Sequence, residues 1–285
     1  KSEFSKVFKE NETIAIKMHM GHGENFNNLQ PDFVSKIVKV FKELKINCFL
    51  FDTPVLYKSE RDTEEGYMDL AERRGYTKIS KVIISNKGIK KKGKYQSYEI
   101  AEPLVKADGV LILTHFKGHG DAGIGGSIKN LGMGALTKKS KADVHFNAKP
   151  IFNEKKCIGC GICAQNCLAN DILIEEGKAV FQNKGCLGCG NCIIHCPQKA
   201  IKPKLELLEK LLADGGITAL KSFKKYYCVN VLKNINKLCD CWDKPGGIIA
   251  KDVGFLLSKD IVAIDKASVD LINKQEGKEV FLEAE

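Results

Sequence analysis

Eight of the twelve cysteines fall into two copies of one closely spaced pattern. The copies are Cys157-x₂-Cys160-x₂-Cys163-x₃-Cys167 and Cys186-x₂-Cys189-x₂-Cys192-x₃-Cys196-Pro197. Two-residue gaps allow three thiolates to converge on one cuboidal iron–sulfur cluster from a tight loop. Glycines inside both loops permit the unusual backbone angles that such a loop needs. The spacing therefore predicts two [4Fe–4S] clusters. Paired zinc sites are the alternative, but zinc usually takes its ligands in separated pairs.

The fourth cysteine of each motif is predicted to serve the other cluster, as in the bacterial ferredoxin pattern. We assign one cluster to Cys157, Cys160, Cys163 and Cys196, and the second to Cys186, Cys189, Cys192 and Cys167. The segment resembles dicluster bacterial-type ferredoxins over about 50 residues, from 151 to 204. Residues 172–174 and 179–181, turning at Gly177, match the hairpin expected between the repeats. Leu168 stands where the first motif would usually carry proline.

Cys239 and Cys241 form a further pair, separated by one residue. In an extended segment both thiols would point to the same side. That arrangement favours contact with a metal, a substrate or a redox partner, and we treat both as candidate metal ligands. The alternative is two buried cysteines that pack as small apolar residues.

Five of the six histidines lie outside the cysteine-rich segment, and we expect all five in or beside loops that follow strands, none of them in a helix. Open α/β sheets bind ligands at this position, outside the carboxyl ends of their strands. The five are His19, His22, His115, His119 and His145. The candidate catalytic residues are His19, His119, Lys129 and His145.

Residues 115–134 are rich in glycine and include Gly118-x-Gly120-x-x-Gly123, which has the form of a dinucleotide fingerprint. We discount dinucleotide binding, because that fold needs a second strand that ends in an acidic residue. In this sequence the cysteine-rich segment comes before any such strand. The stretch is then either a tightly packed loop or a loop that presents Lys129, His119 and backbone amides to an anionic ligand. The candidate cofactor-binding residues are Gly125, Gly126, Asn130 and Asp52, although Asp52 could equally cap its loop.

Alternating strands and helices surround the cysteine-rich segment. Strands are predicted at 14–18, 47–52, 82–84, 110–113 and 254–257, and helices at 31–44, 63–74, 205–212 and 260–273. This alternation predicts an α/β fold with a mostly parallel sheet and helices on its faces. The α/β domain would comprise residues 1–150 and 205–285, interrupted at 151–204 by a small α+β dicluster ferredoxin-like domain.

The chain resembles an uncharacterised family of anaerobe iron–sulfur proteins, known only as a domain of unknown function with a ferredoxin insert. The matching segments are Ala15–Asn25, Phe51–Tyr57, Gly125–Gly134, Cys239–Cys241 and Asp260–Asp265. A more distant similarity is to lactate racemases that use a nickel-pincer nucleotide. It implies that His119 is a catalytic acid/base, that Lys129 attaches the cofactor and that His145 is a nickel ligand. Ser127 and Ile128 make the gap between the Gly-Gly pair and the lysine one residue longer than in that family.

Composition and charge argue against a membrane-spanning, secreted or nucleic-acid-binding protein. No apolar run is long enough to span a membrane, and no secretion signal is evident, so we expect a reducing, cytoplasmic compartment. The first residue is Lys1 rather than methionine, which leaves the natural start open. The formal charge of +10 becomes about +6 with two clusters. The basic run at 87–94 lacks neighbouring stacking aromatics apart from Tyr95 and Tyr98, so we predict a solvated loop and no nucleic-acid partner.

We expect an oxidoreductase in which a redox protein passes electrons through two clusters to a ligand in the glycine-rich crevice. The sequence leaves open an additional metal or anionic cofactor in the α/β domain. One alternative is a simple ferredoxin-like electron carrier or docking module. Another is a non-redox racemase- or lyase-like enzyme whose clusters are structural.

Overall fold

The computed structural model describes residues 2–283, and Lys1 lies outside that range. The chain divides into two compact units. The larger comprises the residues up to Ser140 together with those from Ala213 onward, and the smaller is Lys141–Leu212. For comparison, the sequence predicted an insert at residues 151–204. Within residues 2–283, no helix is both long and apolar enough to cross a membrane.

Sixteen strands occur in the described part of the chain. In chain order they are β1 Thr13–Lys17, β2 Asn47–Asp52, β3 Lys81–Ile84, β4 Gly88–Lys92, β5 Ser97–Ala101, β6 Gly109–His115, β7 Lys117–His119, β8 Gly123–Gly125, β9 Pro150–Phe152, β10 Ile172–Glu175, β11 Lys178–Phe181, β12 Ile201–Pro203, β13 Tyr226–Leu232, β14 Ile235–Asn236, β15 Ile248–Ala250 and β16 Gly254–Ser258.

Eleven α-helices accompany these strands within residues 2–283. They are α1 Ser2–Ser5, α2 Pro31–Glu43, α3 Glu64–Arg73, α4 Glu102–Lys106, α5 Ser127–Gly132, α6 Lys138–Ala148, α7 Ile162–Gln165, α8 Asn191–Ile194, α9 Leu208–Leu220, α10 Ile261–Glu276 and α11 Val280–Glu283. Short 3₁₀ helices cover Tyr76–Lys78 and Glu154–Lys156.

A six-stranded sheet forms the centre of the larger unit, in the order β16-β13-β6-β1-β2-β3. Every neighbouring pair is parallel except β13 and β16, which run antiparallel. The predicted α/β class with a mostly parallel sheet is confirmed. β13 was not predicted, although it lies between β6 and β16 and its apolar sequence YYCVNVL is typical of a buried strand.

The two faces of this sheet differ in polarity. One face packs an apolar core against α2, whose Val34, Ile37, Val38 and Phe41 are buried at helical spacing, as the sequence predicted. On the other face, the neighbouring strands β1, β6 and β13 each contribute one buried polar side chain, Lys17, Thr114 and Asn230. Lys17 pairs with Ile112, two residues before Thr114, and Thr114 pairs with Asn230, so all three side chains lie on the same face. Helices α5 and α10 pack over β6 and β13.

The basic run at 87–94 is part of a β-hairpin formed by β4 and β5, so the prediction of a loop was wrong. Exposed and half-buried residues alternate along β4. Such period-two exposure lets a lysine-rich strand keep its charges in water while its backbone is paired. The run of lysines concealed this alternation in the sequence.

The smaller unit contains two antiparallel strand pairs, β10 with β11 and β9 with β12. The first pair is the hairpin predicted around Gly177, whose φ is 73°. Helices α7 and α8 each begin directly after a left-handed glycine, Gly161 or Gly190. Because both helices start within a cysteine motif, the repeat in sequence is also a repeat in structure.

Candidate functional site

Two cavities in the smaller unit are each lined by four cysteines. The first is lined by Cys157, Cys160, Cys163 and Cys196. The second is lined by Cys167, Cys186, Cys189 and Cys192. Each cavity therefore takes three cysteines from one motif and the last cysteine of the other motif. These are the two sets that the ferredoxin pattern assigned from sequence.

Backbone amides point at several of these sulfur atoms. The N–H groups of Gly159, Asp171 and Ala200 donate to the sulfurs of Cys157, Cys167 and Cys196 over 3.4, 3.2 and 3.3 Å. Such bonds stabilise thiolate and are a common means of tuning iron–sulfur centres. A Cβ on Gly159 would lie 2.2 Å from the carbonyl oxygen of Gly177, so only glycine allows this approach of loop and hairpin.

The remaining walls of both cavities are mostly apolar. Phe152, Ile174 and Ile201 line the first, and Leu168, Ile172 and Phe181 line the second. Four thiolates in an apolar enclosure suit a [4Fe–4S] core, to which each thiolate contributes one bond. Within residues 2–283, no three His, Cys, Asp or Glu side chains surround a point that a single metal ion could occupy.

A second polar site lies in the larger unit, where the chain leaves the carboxyl ends of the parallel strands. His19 follows β1, Arg61 lies in the segment after β2, and the Cys239–Cys241 segment follows β13. Open α/β sheets bind their ligands at this edge. The predicted position of His19 beside a loop after a strand is thus the observed one.

The Cys239–Cys241 segment is a turn, whereas the sequence argument considered an extended segment. The amide of Trp242 donates to the carbonyl oxygen of Cys239 over 3.2 Å, which closes a four-residue turn. Cys239 is buried with 5% exposure, whereas Cys241 is half-buried. Within residues 2–283, no third metal-binding side chain completes a single-ion site with this pair.

Asp240 anchors this turn from between the two cysteines. Its carboxylate lies 2.9 Å from Nδ1 of His115 and 2.9 Å from Nζ of Lys117. Burial alone would raise the pKa of Asp240, but the charges of His115 and Lys117 hold that pKa far below its usual value. Asp240 is therefore ionised, and the turn is fixed to β6 and β7.

Cys241 is surrounded by groups that favour its thiolate. Nε2 of His19 lies 3.5 Å from the sulfur, and Nη1 of Arg61 lies 2.8 Å from the same nitrogen. A hydrogen bond from the Cys239 thiol, with the nearby charge of Arg61, holds the pKa of Cys241 well below its ordinary value although burial opposes this. The same hydrogen bond, together with burial, raises the pKa of Cys239. The pKa values of the two thiols are thus shifted in opposite directions.

Arg61 connects the loops around Cys241. Its side chain has no solvent exposure, and its guanidinium contacts His19, the ring of Tyr67 and the hydroxyl of Tyr57. Burial and the Arg61 charge both lower the pKa of His19, which keeps that ring neutral. Both ring nitrogens of His19 face donors, the amide of Gly21 at Nδ1 and the guanidinium of Arg61 at Nε2.

Asp52 and Asn130, two predicted cofactor-binding residues, both contact Lys17. Nζ of Lys17 lies 2.9 Å from Asp52 Oδ1 and donates to Asn130 Oδ1 over 2.7 Å. The hydroxyl of Tyr67 donates to the other Asp52 oxygen over 2.6 Å. Burial lowers the pKa of Lys17, and the neighbouring Asp52 charge partly opposes that shift. These contacts give Asp52 a structural role as well as a position at the sheet edge.

Gly125 and Gly126 end β8 and begin α5. Two amides at the start of α5, those of Ser127 and Ile128, donate to the carboxylate of Asp265 over 2.8 and 2.9 Å. A Cβ on Gly126 would lie 2.5 Å from that carboxylate. The amides at this glycine pair are therefore bound by Asp265 of α10, and Gly126 is needed for the approach of α10.

The three residues of the racemase-like arrangement are divided between the two units. His119 ends β7 and accepts the Asp121 amide at Nδ1 over 3.0 Å, and Lys129 lies on α5. The Lys129 charge reaches Lys17 and Cys239. His145 lies in the smaller unit, on α6, where Nδ1 is 2.9 Å from the carbonyl oxygen of Leu187. Its predicted loop position was wrong because α6 lacks the amphipathic spacing that marks a helix.

Gly118, the first glycine of the dinucleotide-like fingerprint, packs against the backbone of the protein itself. A Cβ there would lie 2.1 Å from the carbonyl oxygen of Lys237, two residues before Cys239. At Gly120 the nearest atom to an added Cβ is a leucine methyl at 3.8 Å. The glycine at 118 thus allows β7 to approach the segment that carries the cysteine pair.

Several residues of the larger unit's site were not singled out from sequence. Lys17 carried a signal, because it is a lone charge in an otherwise apolar strand, and so did Asp240, between two cysteines. Arg61 carried none, since it lies in a polar loop. Its role follows only from its complete burial.

Comparison with known proteins gives the family of the chain. The model of the family described as "Domain of unknown function (DUF362)" matches residues 14–270, and the chain belongs to that family. No curated protein matches the sequence.

Two solved structures are similar in fold. One is the lactate racemase apoprotein from Thermoanaerobacterium thermosaccharolyticum, with 11% identity, a TM-score of 0.43, and coverage of 93% of this chain and 50% of that one. The other is a protein from Thermotoga maritima, with 7% identity, a TM-score of 0.52, and coverage of 97% and 57%. The chain thus spans half the length of the first protein and slightly more than half of the second.

Proposed function

We propose that the protein is an iron–sulfur oxidoreductase that carries electrons on two [4Fe–4S] clusters in its smaller unit. The observation that carries this proposal is the pair of cavities lined by four cysteines each. When bound, the clusters supply one-electron oxidation and reduction. The cysteines hold the metal, the amide donors stabilise the sulfurs, and the apolar walls limit access of water.

The larger unit is proposed to hold the reaction site, at the carboxyl ends of its parallel strands. Support comes from the buried polar groups at that edge, where His19 contacts both Arg61 and Cys241. Lys129, whose charge reaches Cys239, is suited to orient a small anionic ligand there. A redox protein is the proposed electron donor, and the reducing cytoplasm the proposed compartment.

The first test is metal and sulfide analysis after anaerobic reconstitution, with electron paramagnetic resonance of the dithionite-reduced protein. We expect about eight iron and eight sulfide per chain. Cys48→Ser is the matched control, because Cys48 is half-buried in β2 and lines neither cavity. A protein that binds zinc and no iron contradicts the proposal.

Double variants test how the cysteines are shared. Cys160→Ala with Cys196→Ala removes two residues of one cavity, so about four iron should remain. Cys189→Ala with Cys196→Ala removes one residue from each cavity, so both clusters should be lost. If each motif bound its own cluster, these two results would be exchanged.

The oxidoreductase part is tested separately by stopped-flow mixing of the dithionite-reduced protein with candidate anionic acceptors. We expect cluster oxidation faster than the buffer background. We also expect Lys129→Ala to weaken the dependence on acceptor concentration while the iron content stays the same. Oxidation at the background rate with every acceptor would favour a simple electron carrier.

A further inference from the structure

The two cysteine-lined cavities differ at one pair of equivalent positions in the sequence repeat. Asp171 stands four residues after the last cysteine of the first motif, and Ala200 stands four residues after the last cysteine of the second. The Asp171 amide donates to the Cys167 sulfur over 3.2 Å. The Ala200 amide donates to the Cys196 sulfur over 3.3 Å. Since these sulfurs belong to different cavities, the second cavity has a carboxylate in its wall where the first has only a methyl group.

The carboxylate of Asp171 is enclosed by protein. Asp171 is 4% exposed, and one of its oxygens accepts the amides of Lys184 and Gly185 over 2.8 and 3.0 Å. These amides orient the carboxylate without adding a compensating formal charge. Apart from the cysteines, and among the described residues, Asp171 is the only residue with an ionisable side chain that lines either cavity. Because reduction adds an electron, a negative charge beside the second cavity disfavours reduction there.

A positive charge lies beside the first cavity. Nζ of Lys178, on β11, donates to the carbonyl oxygen of Cys157 over 2.6 Å and to that of Glu154 over 3.4 Å. These two carbonyl groups hold the ammonium at the backbone of a cysteine that lines the first cavity. A cation in that position favours the addition of an electron to the first cavity.

The two cavities also differ in access to water. Cys160, which lines the first cavity, is exposed, whereas the four cysteines of the second cavity are half-buried or buried. Water stabilises added charge better than protein does, so the more exposed cavity again favours reduction. The carboxylate, the ammonium and the exposure therefore all act in the same direction.

We propose that the two clusters have unequal reduction potentials, with the higher potential in the first cavity, so that this cavity holds the electron when the protein carries only one. The inference rests on the proposed function and deepens it, because it gives the clusters an order. An electron that the donor protein delivers to the second cavity passes on to the first. The cluster in the second cavity loses one electron, the cluster in the first gains one, and no bond or proton moves.

The test is an anaerobic redox titration of the full-length reconstituted protein, followed by electron paramagnetic resonance. We expect two one-electron steps whose equilibrium constants differ at least tenfold, which corresponds to about 59 mV. The titration is run at about pH 8.5, where an ordinary histidine carries no charge. This matters because His145 contacts the carbonyl oxygen of Leu187 in the wall of the second cavity. Two steps at the same potential would overturn the proposal.

Two variants that each remove one charge assign the steps to the cavities. Asp171→Asn keeps the size of the side chain and an oxygen for the two amides, and it should raise the lower potential by about tenfold in equilibrium constant. Lys178→Gln should lower the higher potential by a similar factor. Lys178 is only half-buried, so this variant tests the order even if Asp171→Asn loses a cluster. Shifts of the opposite sign, or shifts of the same step in both variants, would overturn the proposal.

Glu176→Gln is the matched control, because Glu176 is exposed at the turn of the β10–β11 hairpin and lines neither cavity. Solvent screens its charge, so both steps should stay within about twofold of the unmodified protein. A shift as large as that of Asp171→Asn would overturn the proposal. Iron and zinc are measured in the same samples. Zinc without iron would contradict the proposed function as well, whereas about eight iron per chain with equal potentials would contradict the unequal clusters alone.

Discussion

The imidazole of His115 and the carboxylate of Asp240 lie 2.9 Å apart, although 125 residues separate them in the chain. The other ring nitrogen of His115 is 2.7 Å from the carbonyl oxygen of Lys233. Both ring nitrogens of His115 therefore face hydrogen-bond acceptors. The contact between His115 and Asp240 joins the end of β6 to the segment that carries Cys239 and Cys241.

Asp240→Asn should destabilise the protein by about 3–5 kcal/mol at pH 7, because it removes the carboxylate that faces the buried Lys117 ammonium and the His115 ring. Urea unfolding followed by the fluorescence of Trp242, the single tryptophan, measures this. The native pKa of Asp240 is depressed, so its contribution is fully present above about pH 4 and is lost as the pH falls further. The variant should lack this acid-dependent loss. Equal stability of both proteins at pH 7 would contradict the prediction.

Lys17 and Asp52 should show strong coupling in a double-mutant cycle. Lys17→Met and Asp52→Asn each break a buried ion pair and should each cost about 3–5 kcal/mol. The double variant should cost much less than the sum, because neither single charge is then left alone. Without Asp52, burial has no opposing charge and should drive Lys17 to its neutral form. Additivity within about 0.5 kcal/mol would contradict the prediction.

Gly118→Ala should cost about 1–3 kcal/mol, because its Cβ would overlap the Lys237 carbonyl oxygen and force the backbone apart. Gly120→Ala is the matched control, since its Cβ would make only an ordinary contact, and it should change stability by less than about 0.5 kcal/mol. Thermal unfolding of the two variants gives the comparison. If both behave alike, close backbone approach is not the reason for the glycine at 118.

Gly159→Ala should lower the iron content, because φ is 68° there and an added Cβ would lie 2.2 Å from the Gly177 carbonyl oxygen. Gly185→Ala is the control in the same unit, since its Cβ would meet only the Ala169 methyl at 3.8 Å. Iron analysis after identical reconstitution should show a loss in the first variant alone. Full iron content in Gly159→Ala would show that the loop tolerates a shift away from the hairpin.

Much of the sheet could be predicted from local pattern. The bounds of β2 were predicted correctly, and Asp260 caps α10 as expected, accepting the amides of Val262 and Ala263. Apolar runs and capping residues carry this information within a few positions of the chain. β13 was missed because the cysteine-rich segment and a polar stretch separate it from the strands that it joins.

The site was harder to predict because its contacts are long-range. The i, i+2 spacing brought attention to Cys239 and Cys241, but not to the turn that joins them. Arg61, whose charge lowers the pKa of Cys241, is connected to the pair only through the fold. Asp52 was predicted as a ligand-binding residue, and its bonds to Lys17 and Tyr67 could not be inferred from spacing.

The exchange of one cysteine between the two cavities has a consequence for biosynthesis. The first motif is synthesised first, but the cavity that holds its first three cysteines also needs Cys196, the last cysteine of the second motif. The other cavity, with Cys167 from the first motif, is complete at Cys192. At about 5–20 residues per second, the early thiols wait a few seconds unprotected. If the proposed clusters fill these cavities, their assembly must follow translation of both motifs, and a chain that ends between the motifs could complete neither cavity.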